Sequence, residues 1–143
     1  MTQSTIPVSN EVKFNIQIGD ELTHNVKPLL HEIKHALEKL IETGTNSIID
    51  LRSIPLAPGE EDRILNTLGQ GEVQAQLDTL GLSEVIETRY AGVWVVTHYN
   101  DDSNIISRFI EVTTMPDILA SQTEDIMTAY SNLSLDLDEE QAP

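Results

Sequence analysis

The chain has 143 residues, 39 % of them hydrophobic and 4 % aromatic, and its 24 acidic and 8 basic residues give a formal net charge of −16. That length fits one domain with an aliphatic core, and so acidic a surface repels phosphate backbones and anionic lipid, which argues against nucleic-acid and membrane-surface binding. The absence of cysteine excludes disulfides, thiol catalysis and metal clusters held by this chain's own thiolates.

In chain order, the polar residues 1–10 read as a flexible N-terminus. From Glu11 to Gly19, Val12, Phe14, Ile16 and Ile18 alternate with polar neighbours, the period of a strand. No basic segment followed by an apolar one marks a secretory signal, and no run approaches the ~18 apolar residues of a membrane span. A cytoplasmic protein is the expectation.

Val26 to Thr43 places Val26, Leu29, Leu30, Ile33, Leu37, Leu40 and Ile41 on one helical stripe, with Pro28 in the first turn and Gly44 just beyond the end. Asn46 to Arg52 reads as a short strand, followed by a proline-punctuated loop. Glu60, Glu61 and Asp62 then favour the start of a helix by charge. Ile64, Leu65 and Leu68 form its buried face, and Gly69 ends it.

Val73, Ala75 and Leu77 alternate, as do Ile86, Thr88 and Tyr90. Gly92 to Tyr99 is apolar on both faces, which predicts a central strand covered on both sides. The turn Asn100 to Asn104 links it to a strand from Ile105 to Thr113. A last helix is expected from about Thr114, with Ile118, Leu119, Ile126, Met127, Tyr130 and Leu133 as its apolar face. Residues 134–143 read as an acidic disordered tail, so the domain proper runs from 11 to 133. The whole predicts an α+β fold with a mixed or largely antiparallel sheet of about five strands packed with three helices.

Two patterns raise chemistry. His31-Glu32-Ile33-Lys34-His35 matches the helical H-E-x-x-H of zinc hydrolases, which aims two imidazoles at one metal. Here His31 and His35 fall opposite the apolar stripe, beside Glu38 and Glu42, and no third ligand is evident. Two exposed histidines are the simpler reading, and no cofactor is expected. Trp94 reads as a core residue, with Trp94 and Tyr99 together forming the alternative, an aromatic anchor for a partner.

The segments Leu68-Gly69-x-Gly71-Glu72-Val73, Gly92-Val93-Trp94-x-Val96-x-His98 and Glu111-Val112, followed by Pro116, occur in fixed order. Together they resemble the C-terminal conserved domain of hydrogenase expression/formation proteins of the HupH/HyaF type, over about Leu29 to Asp125. The resemblance implies a non-enzymatic accessory role in maturation of nickel–iron hydrogenase. The expected partners are a hydrogenase subunit precursor, chiefly the iron–sulfur small subunit before export, and other maturation factors. Glu72, His98 and Glu111 are polar residues at motif positions, and with Trp94 and Tyr99 they are the candidate partner-binding residues. Longer members of the family look like tandem copies of related domains, so a homodimer is expected to replace the missing copy.

Overall fold

The computed structural model describes residues 24–78 and 80–141. The strand expected at residues 11–19 and the N-terminal decapeptide lie outside the described residues. The elements run α1 (Val26–Thr43), β1 (Ser47–Asp50), α2 (Glu60–Leu68), β2 (Gln74–Asp78), β3 (Leu82–Glu87), β4 (Val93–Tyr99), β5 (Ile105–Val112) and α3 (Thr123–Gln141). The five strands form one sheet in the order β1-β5-β4-β3-β2, antiparallel throughout. The expected α+β class holds, in its largely antiparallel form, and β4 is the central strand.

Helices α1 and α2 lie on one face of the sheet. Val26, Leu29, Ile33 and Ala36 of α1 and Ile64 and Leu68 of α2 pack with Ile49, Val93, Ile110 and Val112 from the strands. The helical period explains which positions of α1 are buried, with one exception. Ile41, placed on the stripe from sequence, is 83 % exposed, because the stripe drifts off the sheet in the last turn and Gly44 closes the helix there with its N–H on the Leu40 carbonyl.

The start of α1 is held from a distance. Asn25 precedes the helix without capping it through its own side chain. Its backbone N–H donates instead to Glu60 Oε2 at 3.0 Å, and its Nδ2 donates to Glu60 Oε1 at 3.2 Å. The same Oε1 accepts from the Ala57 backbone N–H at 2.6 Å, so Glu60 ties the loop before α2 to the first turn of α1.

The two glycines of the Leu68–Val73 motif set the passage from α2 into the sheet. Gly69 has φ +66° and ψ −161°, a conformation essentially restricted to glycine, where the helix ends, and a Cβ there would meet the Arg89 side chain at 2.6 Å. Gly71 lets two backbones close up: its N–H donates to the Glu87 carbonyl at 2.6 Å, and an added Cβ would lie 2.5 Å from the Thr88 carbonyl oxygen.

The C-terminal segment departs most from the sequence reading. From Thr114 onward the chain forms no α-helix until Thr123. Pro116 is buried, a single 3-10 turn spans Asp117–Leu119, and Leu119 packs against Val85, Trp94 and Val96 on the sheet face opposite α1 and α2. Then α3 runs to Gln141, so residues 134–141, expected as a disordered acidic tail, are helical. Ile126, Met127, Tyr130 and Leu133, expected to cover the sheet, are exposed.

Candidate functional site

The strand register sorts the candidate residues by face. Trp94 pairs with Glu111, Val96 with Phe109 and His98 with Ser107, and alternation along a strand puts Trp94, Val96 and His98 on the side away from α1 and α2. Glu111 pairs on its other flank with Ile48. Ile48, Trp94, Phe109, His98 and Glu111 therefore share one sheet face.

That face is covered unevenly. Towards β3 it is closed: Val85, Trp94 and Val96 are buried under Leu119. Towards β1 it is open, with Ile48 66 % exposed and Phe109 and Glu111 half-buried. Met115 and Ile118 add exposed apolar surface from the segment that follows β5.

Trp94 belongs to the closed half. It is 5 % exposed, and its Nε1 donates to the Thr113 carbonyl at 3.1 Å in a buried bond. The indole thus pins the chain where it leaves β5, and the ring is a core element. Trp94→Phe is expected to lower stability by about 1–2 kcal/mol, because a buried carbonyl loses its donor and the smaller ring leaves space. A urea-denaturation midpoint checks this. An anchor role confined to partner contacts would leave the midpoint unchanged.

His98 and Glu111 are the candidate polar residues on this face, which Asp50 and Ser107 share by register. His98 Nδ1 lies 2.7 Å from Ser83 Oγ, and its ring meets Phe109 edge-on at 6.0 Å. The imidazole is thereby held in orientation, with Nε2 left for other contacts. Glu111 has no side-chain hydrogen bond or ion pair among the described residues. Burial pushes its carboxyl above the usual range, the Asp117 carboxylate adds to the rise, and His98 partly offsets it. A half-buried carboxylate with no donor among the described residues, between an indole and an exposed isoleucine, is electrostatically unsatisfied.

The other two candidates lie elsewhere. Tyr99 projects to the opposite face, where its hydroxyl donates to Glu84 Oε1 at 3.2 Å; burial, with the Glu84 carboxylate, raises its pKa. It does not join Trp94 in an aromatic anchor. Near it, Arg108 donates through Nε to Thr97 Oγ1 at 2.9 Å and through Nη1 to Glu61 Oε2 at 2.6 Å, tying β5 to α2 beside an open cavity of about 380 Å³ lined by Leu65, Ile86 and Val95 among others. Glu72 is exposed in the turn before β2, with its backbone N–H 3.3 Å from Glu87 Oε1. Its place is at the sheet edge, away from Glu111.

The metal alternative gains nothing from the fold. His31, Glu32 and His35 are exposed on the outer side of α1, and among the described residues no group of three or more His, Cys, Asp or Glu side chains is placed to hold a metal ion. No described helix is long and apolar enough to cross a membrane.

The residues that sequence reasoning missed on this face are Ile48 and Phe109. Both are apolar, and only the register shows that they flank Glu111. The alternation of β1 and β5 held the signal for Ile48 and Phe109, but it needed the β1–β5 pairing to be read.

Comparison with known proteins follows the same lines. The hydrogenase expression/formation protein HoxQ of Azotobacter vinelandii is 27 % identical over 104 residues, covering 71 % of this chain and 37 % of HoxQ. The chain therefore spans little more than a third of that relative's length. The solved structure of the hydrogenase expression protein HupH from Thiobacillus denitrificans ATCC 25259 matches with a TM-score of 0.77 at 38 % identity, covering 80 % of this chain and 96 % of that one. Residues 23–138 match the family described as HupH hydrogenase expression protein, C-terminal conserved region. By sequence and by fold, this chain belongs to the HupH family of hydrogenase expression proteins.

Proposed function

We propose that the chain is a non-enzymatic, cytoplasmic accessory factor in nickel–iron hydrogenase maturation. It binds an immature subunit, the iron–sulfur small subunit, through the open half of the sheet face that carries Glu111. The family supports the pathway, and the Glu111 carboxylate, unpaired among the described residues, supports the place. A catalytic carboxyl would sit in a closed pocket with a second polar group aligned to the reacting atom. Glu111 sits on a half-open apolar surface instead, which suits recognition of a chain segment presenting N–H or cationic groups beside apolar side chains. Ile48 and Phe109 would supply the apolar contacts, and His98 Nε2 a second polar one.

The test is affinity capture of the tagged chain from cells making a nickel–iron hydrogenase, under anaerobic conditions, with the small-subunit precursor sought by mass spectrometry. Recovery of that precursor, reduced at least about tenfold by Ile48→Asp, is the expected result for an apolar contact at the centre of an interface. Recovery of the large subunit alone would reassign the client. Recovery of no hydrogenase component would overturn the reading.

A further inference from the structure

The exposed face of α3 carries a run of exposed large apolar side chains. Ile126, Tyr130, Leu133 and Leu137 recur at spacings of four, three and four, which stacks them in one stripe over three turns, and Met127 borders it. All five are more than half exposed, Tyr130 at 75 %. An apolar stripe on a helix normally faces a core, and this one faces none among the described residues.

The charge around the stripe is of one sign. The α3 sequence holds Glu124, Asp125, Asp136, Asp138, Glu139 and Glu140 and no lysine, arginine or histidine. Two of these suit the helix start. The other four sit at the C-terminal end, where the helix dipole is already negative and no basic residue offsets it. With no i,i+4 partner of opposite charge, and no apolar face covered among the described residues, α3 has little of its own to hold it helical.

We infer that α3 is a docking surface for a basic amphipathic helix of a partner protein. Such a segment would cover the Ile126–Leu137 stripe with its apolar side and set lysines or arginines against the acids at the C-terminal end. Helix-on-helix recognition of this kind is read from anchors at just these spacings. A second copy of this chain fits worse, because each copy carries a charge of −16 and α3 against α3 would oppose like charges. The inference is independent of what the open sheet face around Glu111 holds.

The probe is a fluorescent 18-residue peptide of leucine and lysine patterned as an amphipathic helix, titrated into the full chain. Its controls are the same pattern in leucine and glutamate, and a scrambled leucine–lysine peptide without a helical stripe. The amphipathic basic peptide is expected to bind. Leu133→Asp is expected to weaken binding about tenfold or more, the usual effect of a charge buried against an apolar anchor. Ile41→Asp, at an exposed isoleucine of α1, is expected to leave it unchanged, and the urea midpoint of each variant reports that the body remains folded.

The triple change Asp136→Asn, Asp138→Asn, Glu139→Gln gives a signature that a structural role would not. Removing acids from the helix end should raise the 222 nm helical signal of the free chain, while binding weakens severalfold and loses much of its salt dependence. Equal binding by the glutamate peptide or by the scrambled peptide would overturn the inference. So would binding unaffected by Leu133→Asp, or a dimer in light scattering that Leu133→Asp dissolves.

Discussion

Replacing Glu60 by alanine is expected to destabilise the fold by about 3 kcal/mol, since two backbone donors and one amide lose a buried charged acceptor at once. Glu60 is 1 % exposed and accepts from Asn25 N, Ala57 N and Asn25 Nδ2. Removal leaves those N–H groups without their charged acceptor at the start of α1. A decrease in thermal midpoint of roughly 10 °C would follow for a domain of this size. Glu60→Gln keeps one oxygen and most of the shape, so its effect should be smaller, about 1–2 kcal/mol. Calorimetry of both variants checks the order.

The same residue predicts a pH dependence. Burial works to raise the Glu60 carboxyl, but the hydrogen bonds from Asn25 and Ala57 outweigh it and hold the group below its ordinary value of 4.5. The folded state therefore binds its proton less readily than the unfolded chain does. The stabilisation is complete above about pH 4.5 and is lost as the pH falls towards the depressed folded value. Glu60→Gln should flatten the acid limb of the stability curve while leaving its neutral plateau lower.

Glu60 also shows what the sequence made legible and what it did not. Its position among Glu60, Glu61 and Asp62 identified the start of α2, because helix-end charge is a local property. Its main work is on α1, 35 residues away in sequence, and no local pattern reports such a bond. Strands β2, β4 and β5 were legible for the opposite reason: alternation and turn residues are local, and consecutive antiparallel strands pair with their neighbours. The alternation of Ile86, Thr88 and Tyr90 misplaced β3, which runs from Leu82 to Glu87 and ends before Thr88. Trp94 could be placed in the core from its valine neighbours. Tyr99 could not be placed, since its separation from Trp94 by an odd number of residues puts it on the other face only once the strand is known to continue unbroken.

The end of the chain misled for a physical reason. Acidic residues without bases signal disorder, and 134–143 carry such a run. Helical spacing of Ile126, Tyr130, Leu133 and Leu137 continues into it, however, and α3 follows that spacing to Gln141. The sequence pattern showed an apolar face but not its partner. Periodicity states that a face should be covered; it does not state by what.

Glu111→Gln should separate stability from binding, moving them in opposite directions. Folding raises the Glu111 carboxyl above its ordinary value of 4.5, through burial and then through Asp117. The folded state holds this proton more tightly than the unfolded chain, so stability falls as pH rises through the interval above 4.5 and stays lower at neutrality. A neutral amide abolishes that penalty. Because the group is partly exposed and solvent screens it, the gain at pH 7 is about 0.5 kcal/mol or less, vanishing below pH 4. Binding of a subunit that presents a cation or N–H to this carboxylate should weaken about tenfold or more, the loss expected for a charge-assisted bond in a partly buried site. The pair of measurements is a urea titration at pH 4 and pH 7 and the anaerobic capture of the small-subunit precursor. A variant that is both less stable and still fully competent in capture would remove Glu111 from the binding face. Unchanged stability with undiminished capture would show that solvent, and no client, satisfies this carboxylate. The predicted combination, a slightly firmer fold that binds poorly, is hard to obtain from a residue kept only for packing.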